Sequence, residues 1–140
     1  MNKIFVDTWA WYALTDAADT DHALAQSANE KWLDDGYTFI TTNFVVDEAI
    51  TLIRYNLHHQ AAVQFWTILL NLIDAGLVEL VRIDETLESA AWEIFEKYDD
   101  QKFSFTDCTS FAVMRALDLS HAFTGDRHFE ILGFRVAHGA

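Results

Sequence analysis

The stretch Lys3-Ile4-Phe5-Val6-Asp7-Thr8, near the start of the chain, contains a short apolar run, Ile4-Phe5-Val6, that is followed directly by an acid, Asp7. Its β-branched and aromatic residues favour a buried strand over residues 3–6. A carboxylate at the carboxyl end of a parallel strand faces the crevice in which open α/β sheets bind ligands. The stretch therefore predicts an α/β fold, with Asp7 as the first candidate site residue.

Similar β-rich runs recur along the chain and alternate with longer segments of helical periodicity. Strands are predicted over residues 3–6, 38–41, 77–83, 121–124 and 134–136. Helices are predicted over residues 20–35, 43–57, 59–75, 86–98 and 106–119. This alternation is typical of a central parallel sheet flanked by helices.

Residues suited to helix ends accompany most of these helices. The expected N-caps are Asp19 or Thr20, Asn43, Asp84, and Ser104 or Thr106. Gly36 and Gly76 are placed to provide left-handed residues after two helix C-termini.

Composition favours one domain spanning residues 1–140, because 51% of 140 residues are apolar and no proline or linker interrupts them. A single cysteine, Cys108, excludes an internal disulfide and a multi-cysteine metal site. Charge interrupts the N-terminal apolar run too early for a signal peptide or a membrane span. We therefore expect a soluble cytoplasmic protein.

Net charge restricts the kinds of ligand that the chain can bind. The formal charge of −13 repels polyanions, so a broad electrostatic surface for nucleic acid is not expected. Phosphate would be attracted only where bound cations reverse the local charge. A nucleic-acid function for this chain therefore requires metal.

Glu48 is the most informative acid of the predicted helix 43–57. On a helical wheel, Asp47 shares a polar stripe with Thr51 and Arg54, whereas Glu48 lies between Phe44 and Leu52. An acid among apolar neighbours needs a partner, such as a metal ion or an arginine.

Two later acids have both a functional and a structural interpretation. Asp107 stands in the first turn of a helix, where an acid complements the helix dipole, with Ser104 as a capping partner. It also stacks over Phe111 in a largely apolar helix and is therefore expected to point inward. Asp126 follows the predicted strand 121–124 after Gly125, which allows a sharp turn out of the sheet. Taken singly, Asp7 and Asp126 are each more typical of a cap or a turn.

Together, these acids predict their own cofactor, because carboxylates that share a cleft cannot all ionise without cations. Oxygen ligands favour Mg²⁺ or Mn²⁺, and a metal-activated water is a suitable nucleophile for a phosphodiester. Thr124, two residues before Asp126, is placed to orient that water or a ligand carboxylate.

Four motifs in order along the chain resemble those of the PIN-domain nucleases, and most closely their VapC-type bacterial toxin branch. They are Ile4-Phe5-Val6-Asp7-Thr8, Thr41-Thr42-Asn43-Phe44-Val45-Val46-Asp47-Glu48, Ser104-Phe105-Thr106-Asp107-Cys108 and Phe123-Thr124-Gly125-Asp126-Arg127-His128-Phe129. The match spans nearly the whole chain, and each motif alone would be weak.

The resemblance implies a three-layer α/β/α fold with about five parallel strands and metal-dependent cleavage of RNA, such as tRNA, rRNA or mRNA. It also implies a toxin that inhibits translation, forms a homodimer and is neutralised by a cognate antitoxin. The implied metal ligands are Asp7, Glu48, Asp107 and Asp126, and Thr124 is the implied polar residue before the last acid. Many relatives have a further acid where this chain has His128, so the second metal position departs from the family pattern.

Other functions compete with this interpretation. An acidic-pocket phosphatase or receiver domain also places an aspartate after its first strand, but Trp9 stands where a phosphatase has a second acid. A non-catalytic binding module, or an RNA-processing nuclease without an antitoxin, would retain the same acids. The apolar helix 59–75 is expected either to form a partner or dimer face or to pack on the sheet.

Several residues beside the motifs also have two interpretations. Trp9, Trp11 and Tyr12 are suited to stacking on bases, although core packing is the more frequent role of such residues. Arg127 is equally suited to contacting phosphate and to pairing with one of the many acids.

Overall fold

Five strands and seven helices alternate along residues 2–137, which are the residues described by the structure, a computed structural model. The strands are β1 Lys3–Val6, β2 Thr38–Thr42, β3 Val78–Val81, β4 His121–Phe123 and β5 Arg135–Ala137. The helices are α1 Thr8–Thr15, α2 His22–Asp34, α3 Asn43–Asn56, α4 His59–Asp74, α5 Glu85–Lys97, α6 Phe105–Ala116 and α7 His128–Ile131.

The strands form one parallel sheet in the order β3-β2-β1-β4-β5. The chain builds the sheet outward from β1 in one direction through β2 and β3, and then returns to pair β4 with the other edge of β1. The predicted α/β fold with a five-stranded parallel sheet flanked by helices is therefore confirmed. The reversal of strand order lies between β1 and β4, which is where such sheets bind ligands.

Burial explains why β1 is the central strand. Ile4, Phe5 and Val6 are fully buried, and Phe5 pairs with Ile40 on one side and with Ala122 on the other. A strand covered on both faces is apolar where it is buried, as Ile4, Phe5 and Val6 are, and the only charged residue of β1, Lys3, lies at its partly buried start. Helix α6 is buried from Cys108 to Met114, so its N-terminus is held firmly against the interior.

Two helices were not predicted from the sequence. Helix α1 follows β1 with only Asp7 between them and is rich in aromatic residues, so it lacks the polar stripe of a surface helix. Helix α7 has four residues, too few for a hydrophobic period to be detected. The predicted strand 77–83 was too long, since β3 is Val78–Val81. The bounds predicted for β1 are confirmed, and the other predicted elements differ at one or both ends by one to three residues.

Most of the predicted helix ends are confirmed. Asp84 and Ser104 are N-caps whose side chains accept backbone hydrogen bonds, and Gly36 and Gly76 have positive φ angles of 81° and 76°. The prediction for Asn43 was wrong, because the hydroxyl of Thr42 accepts from the Val45 N–H and caps α3.

Asn43 instead connects α3 to the end of β3. Its side-chain oxygen accepts a hydrogen bond of 2.8 Å from the Ile83 N–H. The cap predicted at Asp19 or Thr20 was also wrong, because α2 begins at His22 after Asp21.

Helix α4 buries one face and exposes another. Ala62, Phe65 and Leu69 pack in the core, whereas Trp66 and Ile68 are exposed. Packing on the core is thus confirmed for part of the helix, and a partner face on the remainder stays a prediction. No helix in residues 2–137 has the length and apolar character needed to cross a membrane.

Candidate active site

Asp7 lies at the carboxyl end of β1 and is almost fully buried, with 5% of its surface exposed. Its N–H donates to the Phe123 carbonyl, which ties the residue to the end of β4. Asp7 occupies the N-cap position of α1, but its side chain makes no capping hydrogen bond. Its carboxylate instead accepts a hydrogen bond of 2.9 Å from the Thr124 hydroxyl. The capping interpretation therefore fails for this side chain.

Thr124, at the end of β4, connects Asp7 to Asp126 through a second hydrogen bond. The buried Thr124 hydroxyl oxygen also accepts a hydrogen bond of 3.0 Å from the Asp126 N–H. Asp126 accepts a hydrogen bond of 2.9 Å from the His128 N–H, which is the turn role foreseen for it. One hydroxyl therefore positions both the first and the last acid of the site.

Gly125 is required here for space. Its φ lies outside the left-handed region, and a Cβ at this position would stand 2.6 Å from the Trp9 indole. The backbone bends at Thr124 and Gly125 as the sequence predicted, and the glycine is needed there for close packing of an aromatic ring rather than for a left-handed φ. Trp9 also packs edge-on against Phe123, and Trp11 is buried with its indole N–H donating to Thr41, so core packing is confirmed for both.

Asp107 forms a capping box at the start of α6. Its side chain accepts a hydrogen bond from the Ser104 N–H, and the Ser104 hydroxyl accepts one from the Asp107 N–H, both 3.0 Å long. The carboxylate nevertheless points into the site, where its Oδ2 lies 3.9 Å from Nδ1 of His128. The structural and functional interpretations of Asp107 are thus compatible.

Glu48 and Asp47 face different surroundings, as the helical wheel predicted. Asp47 is exposed, whereas Glu48 is half-buried and close enough to Asp7 and Asp107 for its charge to raise their pKa values. Within residues 2–137, the Glu48 carboxylate makes no hydrogen bond or ion pair. The partner expected for Glu48 is therefore not an arginine of the described chain.

Burial and mutual repulsion make ionisation of this cluster costly. Burial raises the pKa of Asp7 to about 7, an effect that the Thr124 hydrogen bond opposes and the charges of Asp107 and Glu48 reinforce. Burial also raises the pKa of Asp107, with further contributions from Asp126 and Glu48. A divalent cation would reverse this pattern by stabilising the ionised carboxylates.

The donor set fits such a cation. Carboxylate oxygens of Asp107 and Asp126 and one ring nitrogen of His128 lie within 4.8 Å of one another. Hard oxygen ligands with few protein nitrogens are typical of sites for Mg²⁺ or Mn²⁺. His128 was noted in the sequence only as a departure from a family pattern, and its contact with both acids could not be foreseen.

Two other side chains near the site have structural roles. Arg127 is exposed and pairs with Glu130, with its Nε 2.8 Å from a carboxylate oxygen. The acid-pairing interpretation is therefore the one observed for Arg127. Cys108 is buried, and burial raises its pKa to about 11, so it is not an activated nucleophile.

Comparison with known proteins identifies the family that shares this arrangement. The sequence profile of the PIN domain matches residues 4–135. This chain belongs to the PIN-domain family. Nucleases of the family depend on divalent metal ions, in agreement with the donor set described above.

Within the PIN family, the chain is similar to VapC proteins. It is 36% identical over 131 residues to the 23S rRNA-specific endonuclease VapC20 of Mycobacterium tuberculosis, covering 94% of this chain and 95% of the relative. It is 28% identical over 114 residues to a VapC ribonuclease of Archaeoglobus fulgidus, covering 79% of this chain and 67% of that protein.

Solved structures support the same grouping. The crystal structure of VapC20, described as a sarcin-ricin loop cleaving toxin, has a TM-score of 0.82 and 35% identity, and the match covers 94% of this chain and 95% of that one. VapBC2 of Rickettsia felis, bound to promoter DNA, has a TM-score of 0.70 over 96% of this chain and 97% of its own. At 10% identity, the second match shows the fold alone.

Proposed function

We propose that this PIN-domain protein is a metal-dependent endoribonuclease and the toxin of a toxin-antitoxin pair. The observation that carries the proposal is the convergence of four acids where the sheet order reverses between β1 and β4. Asp7, Glu48, Asp107 and Asp126 are the proposed metal ligands and catalytic residues. Membership of the PIN family supports this assignment, as does the similarity to VapC ribonucleases along nearly the whole chain.

Each side chain has a distinct part in the proposed reaction. Thr124 is a positioning residue, because its hydroxyl holds the Asp7 carboxylate and the Asp126 backbone at the same time. The capping box of Asp107 leaves its other lone pairs directed at the site. A bound Mg²⁺ or Mn²⁺ supplies a Lewis acid that lowers the pKa of water and neutralises charge on the phosphoryl oxygens.

The proposed substrate class is ribosomal RNA, with tRNA and mRNA as the alternatives that the test must separate. The similarity to an rRNA-specific relative supports this choice. A net charge of −13 disfavours tight binding through the general surface. We therefore propose that affinity comes from cation-bridged phosphate contacts at the carboxylates and from the shape of a folded RNA element.

The proposed partners are a cognate antitoxin and a second copy of the chain. The exposed apolar side chains Val63, Trp66 and Leu70 lie on one face of α4 and are suited to such contacts. Action on RNA would place the protein in the cytoplasm, as the sequence predicts. A small neighbouring reading frame for a DNA-binding antitoxin would favour the toxin role over RNA processing.

The test is sequencing of RNA 5′ ends after induced expression of the wild type and of Asp7→Asn. New ends within rRNA in wild-type cells, absent with Asp7→Asn, would support the proposal. New ends in tRNA or mRNA alone would support the nuclease but contradict the substrate class. Equal end profiles for the two proteins would contradict the nuclease and favour a binding module.

A further inference from the structure

His128 lies where the loop after β4 enters α7, and two contacts fix its position. Its backbone N–H donates to Asp126, and its ring packs edge-on against Phe103, with centroids 5.3 Å apart at an interplanar angle of 73°. The Phe103 ring limits rotation of the imidazole about its side-chain bonds. The orientation of the ring is therefore set by packing, before any ligand binds.

The ring directs one nitrogen toward the two acids. Nδ1 lies 3.4 Å from an Asp126 carboxylate oxygen and 3.9 Å from one of Asp107. Both distances are within ion-pair range, yet Nδ1 is buried and makes no hydrogen bond to any residue in the described range 2–137. Buried polar atoms are almost always satisfied, so an unsatisfied nitrogen facing two carboxylates indicates a missing partner.

A divalent ion held by these three side chains would satisfy that requirement. Ligand atoms bound about 2.1 Å from one ion stand about 3–4 Å apart. The separations of 3.4 and 3.9 Å from Nδ1 to the carboxylate oxygens lie in this range. An imidazole also suits transition metals better than Mg²⁺, which prefers oxygen ligands and retains its waters.

We propose that Nδ1 of His128 is a metal ligand, which with Asp107 and Asp126 forms a carboxylate–imidazole site that prefers Mn²⁺ to Mg²⁺. The proposal deepens the proposed function, because it rests on the metal dependence of the same site. It assigns to this chain a nitrogen ligand at a position where the resemblance implied a further acid. The neutral ring also leaves the site one negative charge less than an acid would, which favours approach of a phosphate.

The test is the affinity of the metal-free full-length protein for Mn²⁺ and for Mg²⁺, measured by calorimetry without RNA. His128→Asn is expected to weaken Mn²⁺ binding at least about tenfold and Mg²⁺ binding much less. His128→Asp is expected to reverse the preference in favour of Mg²⁺. The exposed His59, changed to Asn, is the matched control and should leave both affinities unchanged.

A spectroscopic measurement on the wild type does not depend on how the variants fold. Electron spin-echo spectra of bound Mn²⁺ are expected to show coupling to a histidine nitrogen, with the expected change on ¹⁵N-histidine labelling. Absence of that coupling, or unchanged Mn²⁺ affinity in a folded His128→Asn protein, would overturn the proposal. If the wild type cleaves RNA but shows no nitrogen coupling, the proposed function stands and only the role of His128 is contradicted. If nitrogen coupling is seen but no RNA is cleaved, only the proposed function is contradicted.

Discussion

Thr124 and Asp7, 117 positions apart in the chain, are joined by a hydrogen bond of 2.9 Å between the ends of neighbouring strands. The same hydroxyl accepts from the Asp126 N–H, so it couples the first and last acids of the site. Thr124 is fully buried, so removal of its hydroxyl would leave its hydrogen-bond partners unsatisfied at a cost in folding free energy. The geometry of the carboxylates therefore depends on one side chain that need not touch the metal.

Thr124→Val tests this coupling, because valine keeps the shape and removes the hydroxyl. Loss of a contact that orients the proposed metal ligand Asp7 is expected to lower metal affinity and kcat by about 10–100-fold. The unsatisfied Asp126 N–H should also reduce the free energy of unfolding by roughly 1–3 kcal/mol. Thr124→Ser retains the hydroxyl and should stay within about threefold of the wild type in both measurements, and an equal loss in both variants would argue against the hydrogen bond as the cause.

Asp7→Asn is expected to stabilise the metal-free protein at high pH. The pKa of Asp7 in the folded protein is about 7, above its usual value of 3.8, so the folded state binds this proton more tightly than the unfolded state does. The stability that the protonated carboxyl provides is therefore present below about pH 4 and is lost as the pH rises to about 7. At about 1.4 kcal/mol per tenfold change in the ionisation equilibrium, ionising this carboxyl costs at most about 4 kcal/mol. Asparagine does not titrate and avoids that cost.

Thermal unfolding in EDTA measures the effect. The Tm of Asp7→Asn should exceed that of the wild type at pH 8, and the difference should shrink as the pH falls toward 4. Excess Mn²⁺ should raise the Tm of the wild type more than that of the variant, since only the wild type keeps all four acids. If the Tm of Asp7→Asn at pH 8 were equal to or below that of the wild type, the ionised Asp7 carboxylate would not destabilise the folded protein, which would contradict this prediction. The exposed Asp47→Asn is the control.

Glu48→Gln and Asp47→Asn compare two adjacent acids, of which only Glu48 faces the candidate site. Glu48 is half-buried and electrostatically coupled to Asp7 and Asp107, whereas Asp47 is exposed. If Glu48 is a metal ligand as proposed, its removal should cost more than the 10–100-fold typical of contacts outside the ligand shell, so we expect kcat/KM for RNA to fall by more than about 100-fold in Glu48→Gln. Asp47→Asn should change it less than twofold, and similar losses in both would contradict the assignment of Glu48.

Gly125→Ala tests the contact between the site loop and Trp9. The added methyl group would stand 2.6 Å from the indole and must displace either the ring or the loop that carries Asp126. Metal affinity and kcat are therefore expected to fall by about tenfold or more. The double variant Gly125→Ala/Trp9→Leu restores space and should recover part of the loss, whereas no recovery would indicate that the backbone itself requires glycine.

Local patterns in the sequence were enough to predict the strands of a parallel sheet and to select the four candidate acids. The central strand is a run of buried residues that ends on Asp7, and the helical wheel separated Glu48 from Asp47. Both signals could be detected because each depends only on residues that are close together in the chain. Helix α1 escaped detection because it is partly buried on several sides, and Asn43 was misassigned because its partner, the Ile83 N–H, is 40 positions away.

The sequence predicted that Thr124 would orient a water or a carboxylate, but neither the acid that it holds nor the contacts of His128 could be predicted, for a related physical reason. Each depends on packing between segments distant in sequence, such as Phe103 against the His128 ring or β4 beside β1. Sequence periodicity shows which face of an element is buried but not which distant side chain it meets. The order of the strands, and therefore the place where the acids converge, required the structure.

Cleavage of purified RNA by the purified protein is the most direct test of the central claim. The wild type, incubated with Mg²⁺ or Mn²⁺ and a panel that includes rRNA and tRNA, should cut rRNA at discrete sites and lose this activity in EDTA. Folded Asp7→Asn should cut nothing under the same conditions. Failure of the wild type to cut any RNA in the panel with either metal, or equal cleavage by Asp7→Asn, would contradict a metal-dependent ribonuclease built on these four carboxylates.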